Sequence, residues 1–397
     1  MSSNDTIGVG ETSVPRGRRE AVVLLALLLI TVLALVSVGA LVRRFRSWQN
    51  ALARRMNERG EMALRSGQPN LAINFFRSSL SFRRDDPVVG LNLAESLIAE
   101  NRLDEADSYL QNLWDRQPQD GTVNLNLARL AAHRNQSTDA LRYYHNAIYG
   151  IWSAEPVQNR ISARFELVGF LLQQNAVTQA ESELIAMESG LPEDSKLHAK
   201  VGQLFLNIGD NRSAENEFLQ ALKFDPNDAV AATGAGKASF RLGHYRTAIL
   251  YLDAAMAKTS HDQQSEEMLE TARLVLESDP FLRNLSAFEK QERILKSYRT
   301  AVNRLETCKK SRMNSPEQSQ TQNTGPYGSS LDSLTAHEHQ LRTQMQPGLL
   351  LTNPELPAAA MSFVFETEEQ TAFLCGEPTG ADRALLLIGR NREGVER

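Results

Sequence analysis

VGQLFLNIGDNRSAENEFLQALKFDP, residues 201–226, reads as two short helices: a first run carrying Gly202, a break at Gly209, and a second run closed by Asp225-Pro226. GAGKASFRLGHYRTAILYLDAAM, residues 234–256, repeats that arrangement with Gly236, Gly243 and Ala248 each 34 residues beyond its counterpart. A period of this length decides the architecture before any local motif, because a single hairpin cannot bury its own apolar face and must stack on copies of itself.

Working outward from these two, registers starting at Ala53, Pro87, Gly121, Ile161, Ser195 and Ala229 bring the rest of the middle of the chain into line, with spacings of 34, 34, 40, 34 and 34. The eighth position holds Gly60, Ala94, Ala128, Val168, Gly202 and Gly236; the twentieth holds Ala72, Ala106, Ala140, Ala180, Ala214 and Ala248. Two antiparallel helices approach closely only where one offers Gly or Ala to the bulk of the other. That bulk stands at the twenty-fourth position, as Phe76, Leu110, Tyr144, Leu184, Phe218 and Leu252, and at the seventh, as Leu93, Leu127, Leu167 and Val201. The fifteenth position is Gly67, Asn101, Asn135, Asn175, Gly209 or Gly243, the residue types that accept the left-handed conformation ending a helix. Pro118, Pro192 and Pro226 close units by stopping the second helix.

These residues resemble the tetratricopeptide repeat family over about Ala53 to Met256, in about six units. The chain departs from the family at the fourth position, which lacks Trp, at Val168, and in six extra residues around Tyr149-Gly150-Ile151-Trp152, which are expected to lengthen a helix or bulge a connection. The resemblance implies an all-α fold, a helix-turn-helix repeat solenoid. It also implies a groove on the first helices for a protein or peptide partner, lined by Glu61, Arg65, Glu95, Arg129, His133, Phe165, Gln203, Asn207, Lys237 and Arg241. Both charge signs are present there, which suits an extended polypeptide.

Ala21 to Val42, AVVLLALLLITVLALVSVGALV, carries no charge, and 22 residues at about 1.5 Å rise cover roughly the 30 Å of a bilayer's hydrocarbon. Arg16, Arg18 and Arg19 precede it, and Arg43, Arg44 and Arg46 follow. Val38-Gly39-Ala40 offers the small residues of a signal-peptidase site. The length of the run and the arginines that follow at once favour an uncleaved single-pass anchor. The arginine count places the C-terminal side in the cytoplasm, while long domains cross regardless of such counts, so the side stays open.

The expected layout is a polar tail over residues 1–20, the transmembrane anchor over 21–42, a basic juxtamembrane segment over 43–52 and the repeats over 53–262. Capping helices then occupy 263–312, a flexible linker 313–332, rich in Gln, Ser, Gly and Pro, and a helical tail 333–397. Apolar residues of the tail, among them Phe363, Val364, Leu385 and Ile388, are expected to pack back on the cap.

The net charge of -5, with both signs interspersed, speaks against a nucleic-acid partner. No HExxH, GxSxG, P-loop or GxGxxG occurs, so no catalytic, cofactor or metal site is expected. His337-Glu338-His339 reads as surface charge, since residues two apart on a helix diverge. Asp85-Asp86 and Glu266-Glu267 read as solvated helix ends. Cys308 and Cys375 are either two buried thiols or a disulfide, the latter requiring an oxidising compartment. The functional expectation is a membrane-anchored scaffold or adaptor that recruits a polypeptide and is no enzyme; self-association, or regulation within an enzyme complex, are the alternatives.

Overall fold

The computed structural model describes residues 16–258, 262–313 and 328–395, which form eighteen α-helices and no strand. Two compact units divide the chain, one ending at Gln174 and one beginning at Asn175.

The first unit holds α1 (Arg16–Arg65), α2 (Pro69–Phe82), α3 (Pro87–Ala99), α4 (Leu103–Arg116), α5 (Gly121–His133), α6 (Ser137–Tyr149) and α7 (Pro156–Gln173). Consecutive helices pair as the register demands. Ala72, Ala106 and Ala140 are wholly buried, as are Phe76 and Leu110, and one core runs from Ala63 through Leu97 to Leu130. A Cβ added to Gly60 would lie 2.4 Å from the Phe76 ring, so the small eighth position is a condition of the packing.

α1 is a single helix of 50 residues that contains the apolar run, the basic segment and the first helix of the first repeat. The juxtamembrane segment expected as a separate stretch at 43–52 is therefore continuous helix. Its apolar part lies bare: Leu24, Leu35 and Leu41 are each about two-thirds exposed or more. At the other end, Ala53 is buried, and Ser79 Oγ on α2 donates to its carbonyl at 2.8 Å.

The six extra residues do both things expected of them. α7 begins at Pro156, ahead of the register position Ile161, and the connection before it folds back on Asp120 through an isolated parallel bridge. Ile151 N donates to Gln119 O, and Gly121 N to Ile151 O, both at 2.8 Å. Trp152 lies flat on Gly121, where a Cβ would meet the indole at 2.3 Å.

The second unit opens with α8 (Val177–Glu188), α9 (Ser195–Ile208), α10 (Asn211–Phe224), α11 (Ala229–Arg241) and α12 (Tyr245–Met256). Phe218 is fully buried between two glycines: an added Cβ would reach its ring at 3.1 Å from Gly202 and 2.2 Å from Gly234. Across both units all six fifteenth-position residues have φ between 57° and 90°.

Five first helices start on an aspartate whose side chain accepts from backbone N–H groups of the first turn: Asp86, Asp120, Asp194, Asp228 and Asp262. This cap satisfies donors that have no partner within the helix. Asp262 lies 34 residues after Asp228, so α13 (Gln263–Ser278) is the seventh first helix in the same register.

After it come α14 (Ala287–Met313), α15 (Gly328–Arg342), α16 (Pro347–Thr352), α17 (Leu356–Cys375) and α18 (Gly380–Val395). α15 begins inside the stretch expected to be linker; the preceding residues 314–327 lie outside the described ones. One apolar core runs from Phe240 and Leu252 on the last repeat through Leu269, Ile294 and Leu305 to Phe363, Leu385 and Ile388. The tail thus covers the face that the last repeat would otherwise leave in water. Cys308 and Cys375, with Cα atoms 5.7 Å apart, are joined as a disulfide beside that core, and Arg304 donates to the Gly376 carbonyl at 2.7 Å.

Candidate protein-interaction surface

In the first unit the polar side chains on the first helices form a ladder. Asn57 donates to Glu61 at 2.8 Å, Asn92 reaches Asn57 at 3.4 Å, and Arg129 grips both carboxylate oxygens of Glu166 at 2.6 and 2.8 Å. Glu95 stands 3.9 Å from Arg129 on its other side, and Glu61 also pairs with Arg65 at 3.4 Å. The hydrogen bond to Glu166 outweighs partial burial and raises the Arg129 guanidinium above its ordinary value, so its positive charge is fixed and already engaged. His133 is exposed and Phe165 half-buried. Glu166, one position after Phe165, was missed by register reasoning because it lies off the expected groove positions.

In the second unit the corresponding face is more open. Lys196, Lys200, Gln203 and Asn207 stand exposed along α9 at helical spacing, with Gln203 donating to Asn207 at 2.8 Å. Lys196, Lys200 and Gln203 border a cleft of about 930 Å³ whose other walls include Phe224, Asp225, Asp228 and Val230. Val230, at 65% exposed, gives the cleft an apolar edge. The two remaining expected residues are engaged. Lys237 donates to Asp262 at 2.7 Å, which holds that carboxyl down at about 2, and Arg241 caps α9 by donating to the Leu206 carbonyl at 3.0 Å.

Glu338 corrects the reading of His337-Glu338-His339 as surface charge. Its carboxylate is buried, receives Arg342 Nε at 2.8 Å and Tyr298 Oη at 3.2 Å, and ties α15 to α14. His337 sets its ring edge-on against Phe363. Among the described residues no three His, Cys, Asp or Glu side chains are grouped to hold a metal ion.

Tetratricopeptide repeat profiles match residues 63–121 and 201–262. Over these two stretches the chain carries tetratricopeptide repeats. Solved structures to which it is similar include PilW, a widely conserved type IV pilus biogenesis factor, at 16% identity and a TM-score of 0.40, covering 55% of this chain and 99% of that one. YrrB, a repeat protein with an unusual peptide-binding site, is 17% identical at a TM-score of 0.36, covering 50% and 97%. The C-terminal part of a repeat-containing protein from Cytophaga hutchinsonii is 11% identical at a TM-score of 0.42, covering 59% and 91%. No curated protein sequence matches the chain. Stacked repeats of this kind present extended surfaces to other proteins, and the fold is that of a protein-interaction scaffold.

Proposed function

We propose that this protein is a single-pass membrane scaffold that recruits an extended polypeptide through the first-helix face of its repeats, without catalysing a reaction. The observation that carries the reading is the open α9 face, where Lys196, Lys200 and Gln203 border a cleft with acidic and apolar walls. Mixed charge with an apolar edge fits a peptide backbone and alternating side chains better than a uniformly charged polymer. In the first unit, Arg129 and Glu95 offer a candidate surface of that unit's own, at the cost of exchanging existing ion pairs.

The apolar stretch of α1 supports the anchor. It is bare along its length, has a mean hydropathy of 2.9 in its most apolar window, and sits near the N-terminus. A photo-cross-linking residue placed at Gln203 in intact membranes is expected to capture a discrete polypeptide, and one at the exposed Arg212 on α10 is not. Equal capture from both positions, or none from Gln203, rejects the assignment of this face.

A further inference from the structure

From Ala21 to Asn57 the chain contains no acidic residue and five arginines, Arg43, Arg44, Arg46, Arg54 and Arg55. All five are exposed, and none makes an ion pair among the described residues. Elsewhere this protein mixes its charges closely, so an unbalanced run at the end of an apolar helix points to an anionic neighbour.

The helix geometry says where that neighbour lies. Arg43 to Trp48 lie about 1.5 to 9 Å beyond Val42, which spans the roughly 5–8 Å of headgroup region on each side of the hydrocarbon. At about 100° per residue, Arg43, Arg44 and Arg46 share one broad sector of the helix, and Phe45 and Trp48 share the other. The two rings sit together with centroids 6.0 Å apart, and both are more than half exposed. Aromatic rings of this kind settle at the boundary between chains and headgroups, while arginines pair with phosphate. Helix side chains lean toward the N-terminus, which here is the bilayer side; the Arg43 guanidinium already reaches back to the Gly39 carbonyl at 3.3 Å.

We infer that Arg43, Arg44 and Arg46, with Phe45 and Trp48, form a collar that binds anionic phospholipid headgroups and seats the first repeat on the membrane surface. This rests on the anchor reading above and adds to it the lipid class and a fixed height. α1 has no break, and α2 grips it at Ala53, so the first repeat begins about 16 Å above Val42 on a rigid stem. A partner held by the repeats is then held close to the bilayer.

The test reconstitutes the full chain in vesicles of phosphatidylcholine with 30% phosphatidylglycerol, one or the other lipid brominated, and reads quenching of Trp48 after subtracting a Trp48→Phe variant. Phosphatidylglycerol is expected to be enriched around Trp48 by at least about fivefold, the effect of roughly one arginine at an anionic surface. The Arg43→Gln/Arg44→Gln/Arg46→Gln variant is expected to lose the enrichment. Quenching in the bulk 30:70 proportion of the two lipids in the unaltered chain overturns the collar, as does enrichment that survives the triple substitution. Alkaline carbonate extraction of the same vesicles separates the two levels: a chain that washes off has no anchor and takes the collar with it. A chain that stays but shows no lipid preference keeps the anchor and loses the collar alone.

Discussion

In the first unit the stack of hairpins begins part-way along one continuous helix, whereas in the second it runs out into helices that no longer repeat. The register makes the contrast concrete. Position zero of the first repeat is Leu52, in the middle of α1, where no helix end exists to be capped; position zero of the seventh first helix is Asp262, which caps α13. Covering the apolar face also differs. In the first unit the core between Ala63 and Leu130 is built from repeat positions throughout, while in the second more than half the core residues come from after the last repeat. Repeat chemistry therefore accounts for the interior of the array, and each end needs its own device.

The comparison breaks most readily at Phe218. Truncation to Ala leaves a cavity between Gly202 and Gly234 that neither glycine can fill, and a loss of about 3–5 kcal/mol is expected. Amide hydrogen exchange on the full chain in detergent checks it: protection should fall in α9 to α12 and hold in α3 to α5. Cutting the Cys308–Cys375 link, which spans 67 positions, comes next. The chain-entropy account assigns it about 4 kcal/mol, expected as a lower unfolding midpoint for Cys308→Ser or under reductant, with no change in the first unit's exchange.

A third probe is pH. Glu368 is fully buried with neither carboxyl oxygen partnered among the described residues. Burial raises its carboxyl to about 8, Asp382 adding to the rise and Arg304 opposing it. The native chain then keeps a proton that the unfolded chain releases above its ordinary value of 4.5, so stability falls as pH rises from there to about 8, and levels off beyond. The loss is on the order of a few kcal/mol, and Glu368→Gln should flatten the slope of midpoint against pH without altering the first unit. The smallest effect is expected from the caps. Asp120→Ala and Asp228→Ala, one in each unit, should each lower stability by about 1 kcal/mol in denaturant titrations, and to a similar extent. Unequal losses would show that the two units do not use the cap alike.

Much of this was legible beforehand because repeat packing writes itself into small residues. Ala72, Gly60 and Asn101 have to be what they are for steric reasons, so their spacing exposed the hairpins and their turns. The caps carried an equally plain signal, aspartates at 86 and 120 and again at 194, 228 and 262, which would have revealed the seventh first helix. The missing aspartate before Ala53 likewise foretold that α1 does not stop there. Glu338 misled because burial of a charged residue depends on partners from another helix: Tyr298 lies 40 positions away. Groove residues such as Lys237 and Arg241 could be placed on the correct helix, but whether they face a partner or bind Asp262 and Leu206 depends on neighbours that no period encodes.

Because a capping aspartate opens and a left-handed Gly or Asn divides each 34-residue block, the blocks between Asp194 and Asp262 have interchangeable joints. Duplicating or deleting one whole block would lengthen or shorten the span available to a ligand while leaving the stem and the closing helices untouched. The reach of such a molecule can be altered in quanta, with no new seam to invent.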